Sequence, residues 1–310
     1  MISFLNKYYP PVFCMLLLLC CILTGCAQEE DPYTKAVGFF KAGDYSAAEP
    51  YFITAIETGD NRMQVRLGHA YNLLQLEEYP DAISELIETE RLISDNETLA
   101  AVKETMLDAY LTEENYAGAA RVCEELSKIV KDEKKQTEYL IQAATIRSDL
   151  YLARGDISQY EDELRKLIEL KDYAADEYVE LYRLACGDDN YTKRLKVADD
   201  FTMYVTGRTA YVEDFTPFLS ILFDASNVAK YADYEHDREY YFSKIEEFMT
   251  LAEDRGAGEE QLLKLKIVLA EHRGKMELAY KLLGVYLNHC PEDALAVKEK
   301  EYLENRIGLE

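Results

Sequence analysis

An all-α chain of stacked antiparallel helix hairpins is the fold class predicted for these 310 residues, on three observations. From residue 33 to the C-terminus apolar residues recur at helical spacing, and no strand-like alternation lasts more than a few positions. Gly and Pro are sparse in these stretches and concentrate between them. The third observation is repetition. The segment AVGFFKAGDYSAAEPYFITAI, residues 36–56, overlays AYNLLQLEEYPDAISELIETE, residues 70–90, at a shift of 34, so that Ala36 falls on Ala70, Tyr45 on Tyr79, Ala48 on Ala82 and Phe52 on Leu86. A unit of this length holds two helices and cannot bury its apolar face alone, so successive units must stack.

The chain opens differently. Lys7 precedes VFCMLLLLCCIL, residues 12–23, an uncharged run too short for the ~20 residues a membrane-spanning helix needs. A positive start, an apolar run of this length and small residues at its exit make residues 1–25 a secretory signal peptide. The exit reads Leu23-Thr24-Gly25-Cys26, which resembles the bacterial lipobox. That resemblance implies a diacylglyceryl thioether on Cys26 and cleavage just before it, leaving the mature chain lipid-anchored to the outer face of a bacterial cell membrane, or to an outer membrane if the host has two. Two acyl chains suffice for a lasting tether, since each buried methylene contributes ~0.8 kcal/mol. Residues 26–32 then read as an acidic spacer.

The repeats follow in order. Residues 33–207 hold about five hairpins: LDAYLTEENYAGAARVCEEL puts Tyr110, Tyr116, Ala119 and Cys123 in the frame, DLYLARGDISQYEDELRKLIEL puts Tyr151, Gly155, Asp156 and Leu164, and YRLACGDDNYTKRLKVADDF puts Tyr191 and Ala198. Residues 208–256 are still helical but lack the Gly-Asp turn and carry a dense aromatic set, so they read as one degenerate, longer repeat. Residues 257–293 return to the pattern with Gly274, Ala279, Leu283 and Pro291, and residues 294–310 form a charged amphipathic capping helix. The residues of this frame resemble the tetratricopeptide repeat (TPR) family. The resemblance implies a right-handed superhelical solenoid with a concave inner face, and binding rather than catalysis.

Charge narrows the partner. The formal net charge is −25, and removal of residues 1–25 takes away one base and no acid. Nucleic acid is excluded as a ligand, because phosphate binding needs clustered Lys and Arg. No HExxH, GxxxxGK[ST] or GxSxG pattern occurs, and the four histidines are far apart, so no catalytic residue, metal or cofactor is expected. Gly187–Lys193, GDDNYTK, starts like a calcium loop but lacks its glycine and terminal glutamate, and reads as a turn that caps the next helix. Cys123, Cys186 and Cys290, the cysteines beyond Cys26, read as small buried hydrophobes; nothing selects a disulfide among them.

By register with the family, the first helices of successive repeats direct Gln64, Tyr71 and Gln75, then Glu104, Asp108 and Thr112, then Gln142, Thr145 and Asp149, then Asp176 and Arg183 toward the inner face. This set is polar and acidic and lacks the Lys and Asn with which some family members clamp a terminal carboxylate. A protein or peptide that is cationic or hydrogen-bonding is therefore the expected partner. Tyr231, Tyr234, Tyr240 and Tyr241 in the degenerate repeat form a second candidate patch, with an extra-thick packing layer as the competing reading. The expected function is a membrane-anchored interaction scaffold. Two other readings stay open: a lipoprotein subunit of an envelope or outer-membrane assembly machine, and, in another class, a cell-wall or glycan-acting or solute-binding protein. Against the last stands the lack of a segment outside the repeats long enough for a catalytic domain.

Overall fold

The structure is a computed structural model and describes residues 31–187, 190–206, 216–254 and 256–308. The signal segment and Cys26 lie outside the described residues. Among the described residues the chain forms fifteen α-helices and one short 3-10 helix, with no strand. The described residues divide into two compact units, one ending at Ala143 and the other beginning at Ala144.

In the first unit, α1 (Pro32–Lys41) pairs with α2 (Tyr45–Glu57), α3 (Met63–Gln75) with α4 (Tyr79–Glu90), and α5 (Asn96–Thr112) with α6 (Tyr116–Ile129). The first part of α7 (Glu133–Arg154) completes it. Ala36 and Ala48 are fully buried, as small residues at a close helix crossing should be, and Phe52 packs beside them against Tyr33.

The same turn closes five of the hairpins. Asp44, Glu78, Asn115, Asp156 and Lys275 each donate a backbone N–H to the carbonyl five residues earlier, at 2.8–3.0 Å. This is the Schellman closure, which needs a left-handed residue just before the donor. Gly43, Gly155 and Gly274 fill that place at φ 74–77°, and Glu77 and Glu114 fill it at 62° and 57°. Asp44 and Asn115 then cap the next helix by accepting from Ala47 and Gly118.

A polar seam repeats with the same period. His69 of α3 lies between Glu49 of α2 (Nε2 to Oε1, 2.8 Å) and Glu85 of α4 (3.6 Å). Thirty-four residues on, Lys103 of α5 donates to Glu90 of α4 at 2.6 Å and Glu125 of α6 at 2.7 Å. Burying a cation in this stack requires partners from both flanking second helices, since an unpaired buried charge is costly.

The second unit runs through α8 (Ile157–Leu170), α9 (Ala175–Gly187), α10 (Tyr191–Thr206), α11 (Thr216–Val228), the 3-10 helix Ala229–Tyr231, α12 (Arg238–Asp254), α13 (Glu259–His272), α14 (Met276–His289) and α15 (Ala294–Ile307). Asn190 caps α10 by accepting from Lys193, as read for the GDDN turn. The degenerate repeat is α11 and α12. Its aromatics form a continuous packing layer, with Phe218 edge-on to Phe201 (5.0 Å) and 4.9 Å from Phe248, and Phe201 stacked on Tyr178 (4.6 Å). The long α11–α12 connection, Ala229 to Asp237, replaces the tight turn.

The last helix buries one face and leaves apolar residues on another. Leu303 and Ala296 face the core, but Leu295 is 78% and Tyr302 57% exposed on the other side. Among the cysteines Cys123 is buried, whereas Cys186 and Cys290 are only half-buried; all three are free thiols.

Candidate interaction surface

The first-helix face of the first unit gathers part of the predicted set. Tyr71 of α3 reaches across to α5, its hydroxyl 3.3 Å from Thr105 Oγ1. Glu104 of α5 accepts a 2.6 Å hydrogen bond from the Tyr139 hydroxyl of α7. The partners stand 34 and 35 residues apart, so one repeat offset carries a ladder of side-chain contacts across three first helices. Thr105 and Tyr139 lie outside the set that the register predicts, although adding one repeat offset to Tyr71 and Glu104 points to them.

Asp108 lies one turn beyond Glu104 on the same face of α5. Partial burial, and then the Glu104 charge, raise its carboxyl above the ordinary aspartate value. Burial and the same Glu104 carboxylate hold the Tyr139 phenol above its usual range. Among the described residues neither Glu104 nor Asp108 has a cationic partner in an ion pair. The face therefore presents two adjacent acids with nothing to neutralise them. Gln64 and Gln75 are exposed at the ends of α3 and Gln142 is half-buried on α7. Thr112 is exposed, but its hydroxyl donates to the Asp108 carbonyl at 2.8 Å.

The second unit treats its predicted residues differently. Thr145 and Asp149 of α7 and Asp176 of α9 are exposed. Arg183 is exposed as well, but its guanidinium grips Glu180, Nε to Oε2 at 2.7 Å, and Glu180 also accepts from the Tyr160 hydroxyl at 3.0 Å. Its positive charge is thus spent on its own helix.

The tyrosine patch splits. Tyr231 is 63% exposed, beside Tyr191 at 5.7 Å, with Lys230 over its ring. Tyr234 and Tyr240 are half-buried, and Tyr241 is fully buried among Ile245, Phe248 and their neighbours. Tyr241 is thus a core residue and no partner can reach it; its place on α12 follows the packing-layer reading. The residue that organises Tyr234 is Asp199 of α10, which accepts its hydroxyl at 2.7 Å. Asp199 likewise lies outside the predicted set, and again about one repeat offset separates the pair.

Open grooves of about 460 and 490 Å³ lie in the second unit, the first flanked by Arg165 and Asp200, which stand 3.9 Å apart. No described helix is long and apolar enough to cross a membrane.

No family model matches the chain, and no curated protein matches it. Several solved structures are similar to it. Naa15/Naa10 bound to HypK-THB is 13% identical with a TM-score of 0.42, over 88% of this chain and 38% of that one. The C-terminal part of a TPR repeat-containing protein from Cytophaga hutchinsonii is 12% identical with a TM-score of 0.38, over 86% and 98%. The TPR domain of P58(IPK) is 13% identical with a TM-score of 0.31, over 90% and 88%. This chain thus spans well under half of the Naa15/Naa10 chain that it matches. Its own hairpins, turns and period carry the assignment of an all-α, TPR-like repeat fold.

Proposed function

We propose that this chain is a lipid-anchored scaffold that holds a protein or peptide bearing Lys or Arg on the first-helix face of its first unit. The observation that carries the binding half is the Glu104–Asp108 pair: exposed, one turn apart, and without a cation among the described residues. An ammonium or guanidinium between them would offset both the burial and the Glu104 charge that raise Asp108, and the polar rungs Tyr71, Thr105 and Tyr139 beside it offer hydrogen bonds for a backbone. The anchoring half is supported by Leu23-Thr24-Gly25-Cys26 behind an apolar run.

Two measurements test the halves separately. Fluorescence anisotropy with a basic peptide and a scrambled-charge acidic peptide should show saturable binding of the basic one only, weakened at least tenfold by Glu104→Gln with Asp108→Asn and by raised salt. Equal binding of both peptides, or no effect of the double variant, overturns the surface assignment. Fractionation of cells expressing Cys26→Ser should find the protein released from the membrane. Unchanged membrane association in that variant overturns the anchor.

A further inference from the structure

The geometry points to a divalent transition-metal site, fitted for Zn²⁺, formed by Asp199, Glu235 and His236 in the degenerate repeat. One ligand-bearing atom from each residue lies within 4.8 Å of the others. His236 Nε2 stands 3.7 Å from Asp199 Oδ2 and 3.7 Å from Glu235 Oε1. That is too long for hydrogen bonds. It is close to the spacing of two ligand atoms that share one ion, since bonds of ~2.0–2.2 Å at roughly tetrahedral to trigonal angles place their ends about 3.3–3.8 Å apart. The ligands come from two elements, Asp199 from α10 and the other two from the connection leading into α12.

The surroundings hold these groups for such a role. The Tyr234 hydroxyl donates to Asp199 Oδ2 at 2.7 Å and fixes the carboxylate. The His236 ring lies flat on Tyr240, centroids 3.6 Å apart and planes 9° apart, which sets the direction of its nitrogens. Ligand-orienting contacts of this kind are what metal sites use around the ligands themselves. Lys244, the ammonium over Tyr240, is engaged with Glu247 at 2.7 Å.

The carboxylate is also held from the core. The Tyr241 side chain is 0% exposed and its hydroxyl turns to Asp199, so two phenols, Tyr234 and Tyr241, hold this one carboxylate in place. The imidazole selects a borderline metal such as Zn²⁺ over Mg²⁺ or Ca²⁺, which prefer an all-oxygen shell. With Glu235 76% exposed, the site faces solvent and keeps positions for water or for a partner's donor.

The test uses the full chain under reducing conditions. After chelation, titration with Zn²⁺ alone by calorimetry should show one saturable equivalent, with Mg²⁺ and Ca²⁺ at least tenfold weaker. Co²⁺ should give the visible bands of a four- or five-coordinate nitrogen–oxygen site, and Zn²⁺ should raise the unfolding temperature. His236→Ala and Asp199→Asn should each lower affinity tenfold or more, checked by circular dichroism for retained helix. Glu235→Gln, on an exposed side chain that cannot unfold the repeat, should weaken binding as well. Absence of a stoichiometric Zn²⁺ equivalent, or unchanged binding in both His236→Ala and Glu235→Gln, overturns the proposal.

Discussion

Gly118→Ala tests the packing of the repeat most directly, because two opposing effects of known size meet there. Gly118 lies in the first turn of α6, its N–H donating to the Asn115 cap at 3.0 Å. A methyl group built on it would stand 2.6 Å from Cδ1 and Cε1 of Tyr110 and 3.0 Å from Cγ. Those atoms belong to the root and near edge of the ring. Tyr110 is only 6% exposed and its hydroxyl accepts from Arg121 at 3.1 Å, so the ring has no cheap way to move. Overpacking of this kind costs ~1–3 kcal/mol. Replacing Gly by Ala in a helix returns at most about 1 kcal/mol, and less in a first turn. The clash wins, and a net loss of about 1–2 kcal/mol is expected from the difference of those two figures. Gly38 in α1 is the matched control: nothing lies within 4 Å of a methyl there, so Gly38→Ala should gain about 0.5–1 kcal/mol. Urea unfolding followed by circular dichroism reads both, with slopes compared to confirm that compactness is unchanged. Combining Gly118→Ala with Tyr110→Leu should cost less than the sum of the two singles. If Gly118→Ala is as stable as the parent, the close approach of α5 and α6 is not what the glycine serves and the reasoning fails.

Other outcomes follow from the same physics. Glu77→Gly and Glu114→Gly place the permissive residue where φ is already positive, so each should gain about 0.5–1 kcal/mol in chemical unfolding; a loss at both sites would show that the glutamate side chains matter more than the backbone. Leu222→Ala, at a fully buried position of the second unit, should cost about 2–5 kcal/mol by calorimetry. Burial pulls the His69 pKa down, but Glu85 and Glu49 outweigh it and hold the imidazole above its ordinary value. A raised folded pKa means this contribution is complete below the unfolded value near 6.5 and fades as pH rises through the folded one, so stability should fall over that window and His69→Gln should flatten the slope. Burial, with Glu299 opposite, pushes Glu271 up to about 7. Its contribution should therefore be present below pH ~4.5 and be lost as pH approaches 7, and Glu271→Gln should remove that loss in thermal scans.

The repeat frame was legible because its requirements are local. Ala36 and Ala48 mark a helix crossing by size alone, and their burial at 0% is what a side chain without volume permits. Gly43, Gly155 and Gly274 mark the turn because only glycine takes a positive φ without strain. Glu77 and Glu114 occupy the same left-handed place and could not be read from their own type, since a glutamate there is held by the closure around it. In the candidate surface, Tyr71, Glu104 and Asp108 followed from the register, while Thr105 and Tyr139 needed the partner offset as well.

What the sequence by itself determined is therefore whatever the chain specifies within one hairpin: helix periods, turn residues, the repeat length and the acid excess. The lipobox-like Leu23–Cys26 belongs there too, as a reading of local residues. Exposure was decided only by the tertiary structure. Tyr240 and Tyr241 are adjacent and chemically identical, yet one stacks on His236 at a half-open surface and the other is sealed in the core, because successive residues of a helix point about 100° apart and the neighbouring helices cover one direction only. The meeting of Asp199 with Glu235 and His236 was decided there as well, since it depends on how α10 packs beside a connection some 35 residues further along.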